Sequence, residues 1–344
     1  MSLPIHPPFL PMEASTGTEI PTGPDWQYEP KWDGFRCLAF RDGDRIDLQS
    51  KAAKPLTRYF PEIAAAVADV GASQFVLDGE IVIPEGAGLS FDALLQRIHP
   101  ADSRIRKLAA DTPGHLIVFD LLVDTDGQDL LNRPLSERRA LLERFAKKYL
   151  RNSTDISLSP ATNSIKKAKG WVAQSGNALD GLIAKQCSAA YRSGDRHGMQ
   201  KIKSLRTADC VVGGFRYGSS NTEVGSLLLG LYDEDGLLHH IGFTATGARA
   251  GRQELTAKLK ALVQAPGFTG RAPGGPSRWS TERSTEWQPL KPELVVEVQY
   301  DHLTGGRFRH GTRLLRWRPD KDAQQCTLKQ VEREIGSPLL LLRK

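Results

Sequence analysis

The chain is poor in cysteine and has no apolar window long enough to cross a bilayer. Its four cysteines, Cys37, Cys187, Cys210 and Cys326, are scattered over 344 residues without a Cys-x-x-Cys pair. That excludes a zinc knuckle and a disulfide framework, and leads us to expect reduced thiols in a cytoplasm. No stretch approaches about 18 consecutive apolar residues, and residues 1–15 have neither a basic n-region nor an apolar h-region, so neither membrane spanning nor secretion is expected. Internal repeats and long low-complexity segments are also missing, which sets aside the repeat architectures.

What remains is ordinary globular composition, 40% hydrophobic and 25% charged, in a chain long enough for two domains, each with its own core. The net charge of +6 is modest but unevenly placed: residues 1–250 carry 29 basic and 30 acidic side chains, residues 251–344 carry 17 and 10. Arg307, Arg309, Arg313, Arg316, Arg318 and Lys321 crowd together opposed by Asp320 alone, and a second basic stretch runs from Lys166 to Arg206. Two such stretches suit a polyanion or nucleotide phosphates, and equally two solvated surfaces.

Proline and glycine crowd the first 25 residues, which read as an extended arm. Trp26 to Phe40 and Arg45 to Gln49 read as two strands joined at Asp42-Gly43. Pro61 opens a helix that ends before Gly71. Phe75 to Ile83 and Leu116 to Val123 are apolar strands, the first interrupted by Asp78 and Glu80, the second by Asp120. Phe91 to Ile98 reads as helical. A further helix follows Pro134, with Ser136 as its expected cap. Gly181 to Lys185 is another strand. Beyond Arg206 the pattern becomes short strands between turns, one helix over Gln253 to Val263, and a loop over 265–287. Five or so strands with one helix fit a small barrel such as the OB-fold.

The motif Lys31-Trp32-Asp33-Gly34, preceded by Glu29 and followed by Arg36, is weak alone and reads by default as a surface turn. Its companions, in fixed order, are Asp78-Gly79-Glu80, Phe119-Asp120-Leu121-Leu122, Asp180-Gly181-Leu182-Ile183-Ala184-Lys185, Lys201-Ile202-Lys203 and Arg318-Pro319-Asp320-Lys321. As a set the series resembles the ordered motifs of the covalent nucleotidyltransferases, most closely the ATP-dependent DNA ligases of the short bacterial type called ligase C. The resemblance extends from about Trp26 to Lys321.

The resemblance implies an α+β chain: a nucleotidyltransferase adenylation domain of antiparallel, ATP-grasp-like sheets with helices, over residues 1–205, followed by an OB-fold β-barrel domain over 206–344. The longer relatives carry additional domains for which this length leaves no room. It implies ATP as cofactor, with AMP held covalently, and Mg²⁺ or Mn²⁺. Lys31 becomes the nucleophile, and its amine must be neutral to attack, so a lowered pKa is expected. Glu29 reads adenine, Arg36 meets ribose or the nick strand, Glu80 meets ribose or metal, and Phe119 is an aromatic platform. Asp180, where glutamate is more common, is a metal ligand. Lys185, Lys201 and Lys203 bind phosphates, and Arg318 and Lys321 act from the OB domain on pyrophosphate after closure.

Ser50-Lys51, followed by Thr57 and Phe60-Pro61-Glu62, resembles a further family motif that usually has Arg in place of Lys51. Met199 and His310-Gly311-Thr312-Arg313 depart from the family pattern. The implied substrate is nicked duplex DNA, sealed between 3′-hydroxyl and 5′-phosphate during repair. The implied enzyme is a monomer that meets repair polymerases or end-binding proteins but no membrane, in a bacterial cytoplasm near the nucleoid. An RNA ligase, a GTP-using capping enzyme and a non-catalytic DNA-binding scaffold remain as alternatives. Taken singly, Phe119 reads as core, Lys201 and Lys203 as a solvated strand edge, and Arg36 as a surface residue.

Overall fold

The structure is a computed structural model that describes residues 2–175, 179–219, 222–246, 251–274, 286–331 and 337–342. It forms two compact units, residues 1–204 with 334–344, and residues 205–333.

In the first unit the strands are β1 (Ser15–Thr16), β2 (Trp26–Pro30), β3 (Phe35–Asp42), β4 (Arg45–Ser50), β5 (Gln74–Val82), β6 (Pro84–Glu85), β7 (Gly88–Leu89), β8 (His115–Val123), β9 (Ile156–Leu158), β10 (Gly181–Gln186) and β11 (Met199–Lys203). Its helices are α1 (Pro61–Ala68), α2 (Phe91–Arg97), α3 (Asp102–Asp111), α4 (Leu135–Phe145) and α5 (Ile165–Ser175). Two main sheets result, ordered β4-β3-β5-β8-β9 and β1-β11-β10-β2, and β6 pairs with β7 in a small third one. Period-two alternation gives the first sheet two faces. Cys37, Ala39, Leu77, Ile81 and Leu116 join the core that includes Ile63 and Val67 of α1 and Leu142 and Phe145 of α4. Leu38, Phe40, Val76 and Leu122 pack on the other face with Tyr191 and Met199.

The expected strand Trp26 to Phe40 is broken. Residues 31–34 separate β2 from β3, and these lie in different sheets. The break is pinned by reciprocal backbone bonds, Lys31 N–H to the Gly181 carbonyl at 3.0 Å and Asp180 N–H to the Lys31 carbonyl at 3.1 Å. Gly34 is required there, because a Cβ would lie 2.2 Å from the Ile81 carbonyl oxygen. Gly181 is held more tightly still: its φ is +135°, and a Cβ would lie 2.0 Å from the Ile202 carbonyl oxygen. Gly181→Ala therefore forces β10 and β11 apart and is expected to destabilise the first unit by about 3 kcal/mol or more; an unchanged thermal melt would refute this.

The helix after Pro134 forms, but Pro134 occupies its N-cap without a side-chain bond, and Ser136 lies inside the first turn instead of capping it. Helices α3 and α5 were hidden in polar, basic sequence. The N-terminal arm is anchored, with Leu3, Ile5 and Met12 buried in the cluster that holds Leu38 and Phe40.

In the second unit lie β12 (Arg206–Tyr217), β13 (Val224–Tyr232), β14 (Leu238–Ala245), α6 (Arg252–Lys260), β15 (Gln288–Pro289), β16 (Val295–Tyr300), β17 (Leu303–Thr304), β18 (Arg307–Phe308) and β19 (Arg313–Trp317). The main path is β14-β13-β12-β16-β19, with β15 also on β12. Strand β12 changes partner along its length, meeting β16 up to Val211 and β13 from Val211 onward, with a bulge between Val212 and Gly214. The expected barrel is not closed by a ladder: among the described residues, edge strand β14 meets the approach to β19 through a single bridge, Thr244 to Thr312. Such a half-open form suits an OB-fold.

The loop expected over 265–287 lies partly outside the described residues. The described C-terminal residues 337–342 cluster with the first unit. There Leu339, Leu341 and Leu342 pack against the cluster containing Trp171 and Leu182, an apolar groove that a leucine-rich tail can fill.

Candidate active site

A cavity of about 440 Å³ in the first unit is lined by residues from both sheets and from the arm, among them Glu13, Glu29, Lys31, Arg36, Lys51, Glu80, Phe119, Lys185 and Lys201. Strand alternation explains much of this. Glu80 pairs with Arg36 in register, and Asp78 with Leu38, so Asp78, Glu80 and Arg36 share the face turned away from the helices. Phe119 arrives by a different device. Gly79 opposes Val118 and Asp78 opposes Asp120, which leaves Phe119 as the extra residue of a β-bulge. Its ring carries two cations, Arg36 at 4.7 Å and Lys185 at 4.6 Å from the centroid.

Lys31 projects from the break between the sheets, and its Nζ lies 2.5 Å from Asp180 Oδ2. Burial pulls the ammonium's pKa down, but Asp180, then Glu80 and Asp33, outweigh it, and the net direction is up. The lowered value expected for attack is therefore not that of the free chain, because the negative charge of Asp180, and at longer range of Glu80 and Asp33, favours the charged amine.

Glu80 shows the opposite balance. Desolvation pushes its carboxyl up to about 7 despite Arg36 and Lys31. With the folded value above the ordinary 4.5, the folded chain holds an extra proton between the two, so this stabilisation is present at low pH and is lost as pH rises through about 7. Glu80→Gln is expected to gain stability relative to wild type from about pH 5 to about pH 8, by about 2 kcal/mol after discounting for partial exposure. Urea unfolding at both pH values checks this, and a pH-independent difference would sink it.

The remaining carboxylates in apolar strands are paired. Asp78 receives Arg36 Nε at 2.5 Å and Nη2 at 2.6 Å, and the Tyr191 hydroxyl donates to it at 2.7 Å. Asp120 receives Arg138 Nε at 2.9 Å and Nη2 at 3.0 Å. Glu29 receives Gln27 Nε2 at 2.9 Å and pairs with Lys185 Nζ at 2.7 Å. Each of its oxygens keeps a spare lone pair. Lys185 is therefore committed to Glu29 and Phe119, deep in the cavity. Lys201 lines the cavity, while Lys203 stands opposite Gly181 in register. Burial and the cations Lys51, Lys31, Lys203 and Arg196 push the Lys201 pKa down, and at Lys201 strand β11 is paired on both sides, with Thr16 and with Ile183.

Arg318 and Lys321 belong to the second unit. Both reach Asp209 there, Arg318 Nη1 at 2.8 Å and Lys321 Nζ at 3.7 Å. Sequence reasoning missed Gln27, Arg138, Tyr191 and the arm residue Glu13, none of which sits in a recognisable motif.

Residues 11–203 match the family described as ATP dependent DNA ligase domain, and residues 220–321 match its C terminal region. The chain belongs to the ATP-dependent DNA ligase family. Among relatives of this ligase, DNA ligase C of Mycobacterium tuberculosis is 45% identical over 97% of either chain. DNA ligase C2 of Mycolicibacterium smegmatis is 43% identical over 96% of either. The Multifunctional non-homologous end joining DNA repair protein LigD of M. tuberculosis is 32% identical over 91% of this chain, and 39% of its own length is matched. A solved Lig E DNA ligase shares the fold, with a TM-score of 0.54 at 16% identity, covering 90% of this chain and 99% of that one. The protein is an ATP-dependent DNA ligase with an adenylation fold and an OB-fold. With that family shown, the capping and scaffold alternatives fall away. All four cysteines are free, and among the described residues no helix is long and apolar enough to cross a membrane.

Proposed function

We infer that the ligase seals 3′-hydroxyl/5′-phosphate nicks in duplex DNA by three in-line phosphoryl transfers, with Lys31 as the first nucleophile. AMP passes from ATP to Lys31, then to the nick 5′-phosphate, and is displaced by the 3′-hydroxyl. The observation that carries this reading is the Lys31 amine held at the junction of two sheets, 2.5 Å from Asp180, in a cavity of nucleotide size. Attack requires the neutral amine, so the Lys31 proton must first pass to Asp180, now its ion-pair partner, or to water.

The other residues divide the nucleotide between them. Phe119 supplies an aromatic face for adenine, which takes the place of one of the two cations now against the ring, and Glu29 offers spare acceptors to its amino group. Glu80 and Arg36 flank the ribose. Lys201, Lys203 and, further in, Lys185 place positive charge along the phosphates, where it counts most in a loose phosphoryl-transfer transition state. Arg318 and Lys321 orient pyrophosphate after exchanging Asp209 for it.

No group of three or more His, Cys, Asp or Glu side chains converges among the described residues. A divalent ion would therefore be held by Glu80 or Asp180 together with phosphate oxygens, a donor set that suits Mg²⁺. Bound there, Mg²⁺ or Mn²⁺ supplies charge that neutralises the phosphates and favours a neutral Lys31. The LigD relative's part in end joining supports a place in DNA repair, in a bacterial cytoplasm.

The test is sealing of a labelled nicked duplex by the full chain with ATP and Mg²⁺. Sealing with AMP release is expected. GTP replacing ATP at equal efficiency would overturn the nucleotide assignment.

A further inference from the structure

The mouth of the cavity holds one acidic side chain that the proposed chemistry does not use. Glu13 lines the cavity beside Lys51 and Lys201. Its Oε2 meets Lys51 Nζ at 3.1 Å and Arg196 Nη2 at 3.0 Å, and Arg196 Nε donates to the same oxygen at 3.1 Å. Burial raises the Glu13 pKa, but Lys51 and Arg196 outweigh it and hold the carboxyl below its ordinary value. Glu13 is thus a carboxylate held between two cations, and Lys201, which lines the same cavity, is in turn destabilised in its charged form by burial and by Lys51, Lys31, Lys203 and Arg196.

Its backbone cannot wander. Glu13 N–H donates to the Asp195 carbonyl at 2.8 Å. Two residues on, β1 pairs with β11 through Ser15 with Gln200 and Thr16 with Lys201. The side chain alone is free to turn, since its two partners are mostly exposed, Lys51 at 58% and Arg196 at 68%. Ion pairs that exposed are weak and easily exchanged.

We propose that Glu13 is an internal counter-anion occupying a phosphate subsite between Lys51 and Arg196, and that a substrate phosphate displaces it. The proposal rests on the reading of this cavity as the nucleotide site. A phosphate group carries more charge and more acceptor oxygens than one carboxylate, so it wins both cations. While seated, Glu13 lowers the mouth's affinity for passing anions. The phosphate could come from the triphosphate tail or from the 5′-phosphate of the nick.

Calorimetric titration of the full chain with inorganic pyrophosphate, and with nicked duplexes bearing a 5′-phosphate or a 5′-hydroxyl, decides the matter. Glu13→Gln is expected to bind about five- to tenfold more tightly than wild type, and the gain is expected to vanish in a Lys51→Ala background. A gain toward pyrophosphate assigns the subsite to the triphosphate tail, and a gain confined to the 5′-phosphate duplex assigns it to the nick. Equal affinities of wild type and Glu13→Gln for every probe overturn the proposal, as does an equal gain in the Lys51→Ala background, which reports mere loss of charge. Thermal melts confirm that each variant is folded. Labelling of Lys31 by ATP, run in parallel, tests the nucleotide-site reading separately: its failure in wild type refutes that reading, whereas the pyrophosphate comparison still reports on Glu13.

Discussion

Lys31→Ala is expected to abolish covalent AMP labelling and ATP-dependent nick sealing, a loss on the order of 10⁴-fold or more. Lys31→Arg should fare no better. It keeps the charge opposite Asp180, but guanidinium does not deprotonate near neutrality and cannot attack phosphorus. A nick that already carries AMP on its 5′-phosphate provides the internal control, because joining it to the 3′-hydroxyl does not need a free lysine. Both variants should retain measurable joining of that substrate. Label persisting in Lys31→Ala would show that the nucleophile lies elsewhere. The Asp180 pair adds a finer expectation: Asp180→Asn removes the largest influence raising the Lys31 pKa, so labelling of this variant should reach its plateau at lower pH than in wild type. An unmoved pH profile would show that Asp180 does not govern the amine's protonation.

The second large effect belongs to the buried pair of Asp120 and Arg138, with side chains only 5% and 3% exposed. Arg138 also donates from Nη1 to the carbonyls of Arg133 and Ala189, so it ties β8, α4 and the segment after β10 together. Truncating Asp120 leaves a guanidinium buried without its counter-charge, and Asp120→Ala is expected to destabilise the first unit by about 3–5 kcal/mol, a fall in melting temperature of roughly 10 °C. The pH dependence has a definite sign. Burial pushes the Asp120 carboxyl up, but Arg138 outweighs it and the folded value is depressed. The stabilisation is thus fully present above the ordinary value of 3.8 and is lost as pH falls below it. Calorimetric melts at about pH 7 and about pH 3 check both parts. A variant melting within a degree or two of wild type at neutral pH would show that the pair is dispensable. Because Asp120 follows the bulged Phe119, nucleotide affinity should fall along with stability.

These two predictions differ in how far the sequence alone supports them. The proposed nucleophile could be named from Lys31-Trp32-Asp33-Gly34 because its companions follow in the order that the family resemblance implies. The partner of Asp120 could not. Asp120 was visible as a carboxylate inside an apolar run, where an unpaired charge is costly, but Arg138 looked like any helical arginine until α4 packed beneath β8. Similarly, Phe119 read alone as core, and only a bulge visible in the pairing of β5 with β8 turns it into the cavity.

The sequence by itself determined the residues available for the chemistry: the lysine proposed as nucleophile, carboxylates interrupting strands, glycines where backbones must nearly touch, a basic C-terminal quarter and two domain-sized blocks. Only the tertiary structure decided which charges neutralise which. It split Trp26 to Phe40 between two sheets with Lys31 at the seam. It set Asp180 against Lys31 and so raised the lysine's pKa where burial alone would lower it. It spent Lys185 on Glu29 and Arg318 on Asp209, and it brought Glu13 of the arm to the cavity mouth. The physical reason is range. Alternation, turn formation and glycine's freedom act between near neighbours in the chain, whereas desolvation and Coulomb energy depend on distances in space that any two residues acquire only when the sheets pack.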